Sequence, residues 1–315
     1  MWRGEEGNEA EEVPALAEEE NGPDEVDRDN AEQMGPSERI PLQGPPFRMD
    51  DPARMQLTNQ ERQWALSIKA AIEADNQIDP ISDFMCVHLA IFFQGGIEAA
   101  VERALRLQTF RQEYDILDTL TDSRRALPKH IKLFPKHYLA YNFNKEDGNY
   151  YLVADVTQFS MDKMTRTEMF TAFNAGEYYL FHAMSADFEL IRKGAILLAE
   201  CEGYSWTQHM DVRMIQKVWL ELAWTYPLQY QKAKHYNTGV MFNVFLSLVK
   251  KILPAQIGSK LETGFRCEHR LDTIYLVPTV EAANQRWLHN LDLVLQRRYE
   301  LEKSFSLSDK ATVNS

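Results

Sequence analysis

Two acidic side chains stand in otherwise apolar stretches of the sequence and are the first candidates for chemistry. Asp155 lies in residues 150–157 (YYLVADVT), and Glu200 lies in residues 194–201 (GAILLAEC). Paired carboxyl groups act as general acid and base in many hydrolases when they face each other across a cavity. Two interpretations follow: a hydrolase that uses Asp155 or Glu200, or two carboxylates that are hydrogen-bonded at the ends of strands.

The motifs that mark nucleotide, metal or covalent chemistry are absent from the sequence. Ser205 stands in Glu-Gly-Tyr-Ser-Trp, which lacks the second glycine of a nucleophile elbow. His130 and His137 are seven residues apart in a proline-containing segment, which defines no metal-ligand geometry. No P-loop, no G-x-G-x-x-G after a strand and no H-E-x-x-H occurs. These absences remove the positive evidence for an enzyme without excluding one, and we expect neither a cofactor nor a bound metal.

The two carboxylates belong to a regular alternation of predicted strands and helices. Apolar runs with β-branched residues predict strands at 150–157, 194–201, 233–236 and 260–263. Apolar residues at helical spacing predict helices at 165–183, 212–225, 242–253 and 280–302. Strands separated by helices of this length are typical of an α/β sheet. Before them, residues 58–120 predict a small helical module in which Thr58 and Ser82 cap helices.

Two segments outside this alternation are strongly charged. Residues 1–57 contain 16 acidic and 5 basic side chains without sustained periodicity, which predicts a disordered acidic tail. Residues 124–137 (RRALPKHIKLFPKH) carry five Lys or Arg and two His but no acid. That composition indicates either a solvated basic linker or a contact with an anionic surface.

The net charge of −13 therefore comes almost entirely from the tail. The rest of the chain holds 31 acidic and 29 basic side chains. Such a balance excludes a general nucleic-acid-binding protein, which needs a surplus of Lys and Arg. No apolar stretch is long enough for a transmembrane helix, and the acidic N-terminus is unlike a secretory signal. Because the three cysteines are widely spaced, we expect reduced thiols and a cytoplasmic protein.

Two of the predicted helices are unusually rich in apolar side chains. Residues 166–188 and 240–249 predict either core helices or the walls of a cavity for a hydrophobic ligand. The helix predicted at 242–253 is apolar on two faces, and Lys250 and Lys251 stand together near its C-terminal end. An apolar helix with lysines at its edge suits a mobile lid that touches a membrane.

Residues 225–264 resemble the CRAL-TRIO lipid-binding family. The stretch contains Tyr-Pro, a strand ending in Asn, a Phe-led helix with a basic residue near its end, and Ser-Lys before a short strand. The matching positions are Tyr226, Pro227, Asn237, Phe242, Lys250 and Lys260. Upstream, GAILLAECEGYSW resembles the strand and acidic-x-x-Gly of that family, with Gly203 and Ser205 in place. The resemblance covers about residues 60–280.

This resemblance implies a divergent member with an α/β fold. A small N-terminal helical lobe at 58–125 would precede a CRAL-TRIO-like domain at 126–280, in which a mixed sheet flanked by helices encloses a hydrophobic pocket. Residues 281–315 would form a C-terminal helix and tail. The implied activity is the extraction and transfer of one hydrophobic molecule, such as tocopherol, retinaldehyde or a phospholipid. The helix at 242–253 would be the gate of the pocket.

The sequence departs from the family pattern at positions that bear on head-group recognition. The acidic residue that often follows Tyr-Pro in phosphatidylinositol-exchanging members is replaced by Leu228. The positions of a basic cluster beside the gate look like Gln229, Gln231 and Gln256. Other lysines predict a shifted patch for membrane or phosphate contact, and they are Lys232, Lys234, Lys250, Lys251 and Lys260. Phosphoinositide binding therefore stays open.

We predict a cytoplasmic, peripherally membrane-associated, non-enzymatic protein that makes transient contact with anionic membrane. It would bind one hydrophobic, lipid-like molecule in an internal pocket and transfer it between membranes or to a partner. The predicted ligand-binding residues are Leu197, Ala199, Val218, Leu222, Tyr226, Leu228, Tyr230, Ala233, Phe242, Phe245, Leu246 and Val249. The alternative is a non-enzymatic scaffold or sensor with the same fold and a filled pocket. The sequence names neither the ligand nor the oligomeric state.

Overall fold

A computed structural model describes residues 52–113, 138–143, 149–209, 214, 221–253, 255–266 and 280–307. The basic segment 124–137 and most of the predicted acidic tail lie outside these residues. So does most of the helix predicted at 212–225. Within the segment predicted as the acidic tail, Pro52–Met55 form a 3-10 turn and Leu57 is buried.

Three helices form the N-terminal module, as the sequence predicts. They are α1 (Asn59–Ala74), α2 (Asp83–Phe93) and α3 (Ile97–Glu113). Thr58 and Glu61 form the expected capping box of α1, and the Ser82 side chain caps α2 by accepting from the backbone N–H of Met85. Nearly every residue of α2 is buried, so this helix lies inside the molecule.

A five-stranded mixed sheet follows, which confirms the α/β prediction. Its strands are β1 (Tyr138–Phe143), β2 (Tyr150–Asp155), β3 (Ala195–Glu200), β4 (Tyr230–Tyr236) and β5 (Leu261–Phe265), in the order β1-β2-β3-β4-β5. Strands β2 to β5 run parallel, and β1 pairs antiparallel with β2. The sequence did not predict β1, an edge strand whose pairing is irregular between Tyr141 and Phe143.

Helices connect the parallel strands. The pair α4 (Arg166–Ser185) and α5 (Phe188–Lys193) joins β2 to β3, and the helix Val240–Ile252, here called the cover helix, lies between β4 and β5. Because the parallel strands follow one another in chain order, right-handed crossovers place the connecting helices on one face of the sheet.

The strand register identifies the side chains of that face, called the covered face. Leu152, Leu197 and Ala233 stand opposite one another on β2, β3 and β4. Leu261 continues the row on β5. Side chains alternate between the two faces of a strand, so Ala199 lies on the same face as Leu197. These positions contact the helices of the crossovers.

A buried polar network fixes α4 against the helices around it. The His88 Nε2 group of α2 donates to the carbonyl of Pro227 (2.9 Å), and the Ser185 hydroxyl shares its hydrogen between His88 Nδ1 and the carbonyl of Phe181 (2.8 Å each). Arg298, on the C-terminal helix Val280–Ser304, is fully buried and donates to His182 Nδ1 and Glu302. Burial lowers the pKa of His88 to about 3, which keeps this ring uncharged.

Candidate functional site

The two strand-end carboxylates lie next to each other but are occupied by local donors. Asp155 and Glu200 are neighbours in the register of β2 and β3, and both are buried. Asp155 accepts from the backbone and side chain of Thr157 (3.0 and 2.6 Å), while Glu200 accepts from the Asn237 amide (3.0 Å). This geometry matches the interpretation that each carboxylate is hydrogen-bonded at the end of its strand.

The thiols and possible metal ligands also lack the arrangement of a reactive centre. Cys86 and Cys201 are buried, and desolvation raises the pKa of Cys86 to about 12 and that of Cys201 well above its usual value. A thiol that stays protonated is a weak nucleophile. Within the part of the chain that the structure describes, no three His, Cys, Asp or Glu side chains come together as metal ligands.

The cover helix packs one apolar stripe onto the covered face. Phe242, Leu246 and Val249 are each 4% exposed, and they form one cluster with Ala199 and Ala233 of the sheet. These five residues are all predicted ligand-binding residues, and here they contact one another.

The opposite side of the cover helix carries a second apolar stripe that faces solvent. Val240, Met241, Val244 and Leu248 are 78%, 50%, 48% and 42% exposed. Lys251 continues the line of Val244 and Leu248 by one further helical turn, and Lys250 beside it is also exposed. We call the four apolar residues the outer stripe.

Leu197 of β3 stands between two apolar clusters of the covered face. The cluster around α4 contains Ala195 of β3, and the cluster under the cover helix contains Ala199 of the same strand. Leu197, midway between them, packs against both clusters and remains partly exposed although β3 has a neighbour on each side. We call the surroundings of Leu197 the seam.

The structure distributes the other predicted ligand-binding residues around the seam. Leu228 and Tyr230 pack against the α4 cluster and are partly exposed, whereas Leu222 and Tyr226 are buried in it. Phe245 is partly buried in the cover-helix cluster, 5.6 Å from the ring of Tyr204 between centroids. Val218 lies outside the described residues.

Two polar residues of α4 face this region, and the sequence analysis missed both. Glu177 accepts a hydrogen bond from the Tyr230 hydroxyl at both carboxyl oxygens (3.1 and 3.2 Å), and Asn174 accepts one from Tyr226 (2.8 Å). Burial raises the pKa of Glu177 to about 7. The available signal was their spacing of three residues, which puts them on one side of a helix that is otherwise largely apolar there.

The predicted patch of lysines is divided between the two faces of the sheet. Lys232 and Lys234 alternate with Ala233 and so project away from the covered face. Lys232 pairs with Glu262 (2.9 Å), and the Lys234 ammonium lies 4.9 Å from the centre of the Phe265 ring. Lys260 is partly buried, which lowers its pKa. Only Lys250 and Lys251, among these five, belong to the cover helix.

Comparisons with known proteins add little to this geometry. No protein-family model matches the chain, and no curated protein matches it. Among solved structures, the chain is similar to the crystal structure of Sfh5, with 12% sequence identity and a TM-score of 0.45 over 69% of this chain and 81% of that chain. The fold is therefore defined by the strand order and the contacts described above.

Replacing Glu177 by Gln should change how stability depends on pH. Below the carboxyl pKa of the unfolded chain, Glu177 is neutral in both the folded and the unfolded state. As the pH rises toward the folded pKa of about 7, the unfolded state ionises more readily than the folded state, so the free energy of unfolding falls. The parent protein should lose about 2 kcal/mol of unfolding free energy through Glu177 between pH ~5 and ~8. Glu177→Gln should not show this loss.

Urea unfolding at a series of pH values measures the difference between the two proteins. Glu98→Gln, on the exposed surface of α3, is the matched control and should leave the pH dependence of the parent unchanged. A stability difference between parent and Glu177→Gln that is constant from pH ~5 to ~8 would show that Glu177 titrates normally.

Proposed function

We propose that the protein binds one hydrophobic, lipid-like molecule on the covered face and moves it between membranes. The CRAL-TRIO resemblance of the sequence and the mixed sheet with helices on its covered face support this function. Burial of the apolar ligand surface, at about 25 cal/mol per Å², would supply the binding free energy. The proposed activity is non-covalent, and the strand-end carboxylates have no part in it.

One observation carries the proposal, namely that the cover helix is apolar on both sides. Its inner stripe fits the sheet, and its outer stripe suits the hydrocarbon boundary of a bilayer. A helix that serves only as core needs one apolar side, since exposed apolar surface is unfavourable in water. A helix that alternates between the sheet and a membrane needs both.

The cover helix is also attached in a way that permits movement. Gly239 precedes it without a side-chain capping bond, and Leu253 follows it in an extended conformation. Its inner face is held by apolar contacts, among them the edge-to-face pair Tyr204–Phe242 (5.0 Å). Apolar contacts are non-directional, so a lipid chain can replace them without leaving a buried donor or acceptor unpaired. Membrane contact would then open the covered face.

Loss of membrane binding should follow from acidic substitutions in the outer stripe. The double variant Val244→Asp/Leu248→Asp should bind phosphatidylcholine–phosphatidylserine vesicles at least about tenfold more weakly, because burying each apolar side chain contributes about 1.5–3 kcal/mol. Vesicle flotation measures binding, and transfer of a labelled lipid measures the consequence.

The matched control places the same two charges at polar positions on the exposed side of the same helix, so it adds charge without removing an apolar side chain. Asn243→Asp/Ser247→Asp changes exposed polar positions and should retain most of the binding. If both double variants lost vesicle binding equally, the added charge alone would explain the loss, and insertion of the outer stripe into the bilayer would be contradicted.

Charge reversal at the end of the cover helix should weaken transfer to anionic vesicles specifically. Each lysine near an anionic surface contributes about 1 kcal/mol, so Lys250→Glu/Lys251→Glu should slow transfer about tenfold or more at low salt and progressively less as salt rises. Lys193→Glu/Lys303→Glu has the same change in net charge at exposed positions on other helices and should transfer normally. Transfer that is independent of salt would remove electrostatic docking from the mechanism.

A ligand should accompany the protein through purification. Native mass spectrometry of the purified chain, followed by organic extraction, should find close to one lipid per chain, because a closed cover helix releases its ligand slowly. The alternative function is a scaffold or sensor with a filled site, which the buried inner stripe favours. A ligand-free protein that also ignores lipid vesicles would exclude transfer and leave the scaffold.

A further inference from the structure

Helix α4 carries polar groups of two kinds. His182 and Ser185 belong to the network around Arg298 and connect α4 with the C-terminal helix. Asn174 and Glu177 contact the stretch that leads into β4 instead, through the hydroxyls of Tyr226 and Tyr230. The second pair is therefore separate from the polar groups that hold the helix in place.

The contacts of Glu177 leave it with unused hydrogen-bonding capacity. The single hydroxyl hydrogen of Tyr230 is shared between both carboxyl oxygens, at 3.1 and 3.2 Å, whereas a carboxylate offers about four acceptor positions. No described Lys, Arg or His forms an ion pair with Glu177. A carboxyl group among apolar side chains with one weak donor is costly, and a further donor would relieve that cost.

The position of this group connects it to the proposed ligand. Tyr230 stands opposite Ala195 in the register, one place along the covered face from Leu197. Both Tyr230 and Glu177 keep accessible surface, as Leu197 does. Glu177 and Tyr230 thus lie on the side of the sheet that carries Leu197, with the carboxyl itself largely removed from water.

We propose that Glu177 and Tyr230 bind the hydroxyl head of a neutral lipid alcohol whose apolar body lies along the seam. This inference rests on the proposed lipid-binding function and names the chemical class of the ligand. Asn174, one helical turn before Glu177, places an amide on the same side of α4.

The charges around the seam select a hydroxyl over other head groups. A phosphate or carboxylate head would set a second negative charge beside Glu177, with no described cation paired to that residue to compensate. Burial raises the pKa of Glu177 to about 7, so its neutral and ionised forms are both populated near neutral pH, and a hydroxyl can bond to either form whereas an ammonium head pairs with the ionised form alone. A neutral carboxyl both donates and accepts, as a hydroxyl does, so the two groups are complementary.

A set of probes with one chain and different heads tests the inference. Oleyl alcohol, oleylamine, oleate and the hydrocarbon 9-octadecene would each be offered on phosphatidylcholine vesicles, and the amount retained by the full-length protein measured. The parent should retain the alcohol about tenfold better than oleate or the hydrocarbon, which corresponds to about 1.4 kcal/mol. Glu177→Leu should remove this preference and keep the affinity for the hydrocarbon.

Two further variants keep the result interpretable. Glu177→Gln preserves shape and hydrogen bonding, so it should retain the alcohol within about threefold, a change of under 1 kcal/mol. Glu98→Leu makes the same chemical change on the exposed surface of α3 and should behave like the parent. Thermal unfolding of each variant verifies that it is folded.

The outcomes separate the inference from the function on which it rests. If no probe is retained by any variant, the lipid-binding function itself is wrong. If the hydrocarbon and the alcohol bind equally and Glu177→Leu has no effect, lipid binding stands and the head-group assignment is wrong. If the amine binds best and Glu177→Gln abolishes its binding, the carboxylate recognises a cationic amphiphile, which overturns the assignment to an alcohol.

Discussion

The order of the parallel strands is the constraint on which the rest of the structure depends. Because β2, β3, β4 and β5 are neighbours in chain order, right-handed crossovers bring their helices to one face. That face carries two apolar clusters, one that includes residues of α4 and Ala195 and one that includes residues of the cover helix and Ala199. Leu197 packs against both clusters and is partly exposed.

Helix α4 and the cover helix are held in place by different kinds of interaction. α4 is bonded through His88, Ser185 and Arg298 to helices on both sides, and directional buried bonds of this kind are expensive to break. The adjoining α5 is tied to α1 by the ion pair between Arg192 and Glu61 (2.8 Å). The described inner residues of the cover helix pack against apolar side chains and against the rings of Tyr204 and His235. The proposed transfer assigns the fixed part to α4 and the moving part to the cover helix.

The sequence predicted the elements better than the site, for a physical reason. Periodicity depends on neighbours along the chain, so the caps at Thr58 and Ser82 and the strands β2 to β5 were predicted within a few residues. Register is a property of two chain segments, and the predicted lysine patch was divided because alternation sends Lys232 and Lys234 to the other face. Glu177 was missed because its meaning comes from Tyr230, a residue distant in sequence.

The inner stripe of the cover helix and a ligand compete for the same surface. Phe242 and Leu246 already occupy the positions over Ala199 and Ala233, so a ligand reaches those alanines only when the helix moves away. The seam is different, because Leu197 and Tyr230 keep accessible surface while the helix is in place. A polar head bound at Glu177 would thus orient the ligand from α4, and the apolar body of the ligand would displace the cover helix. Recognition and gating then reside on separate helices, and each can be removed by substitution without the other.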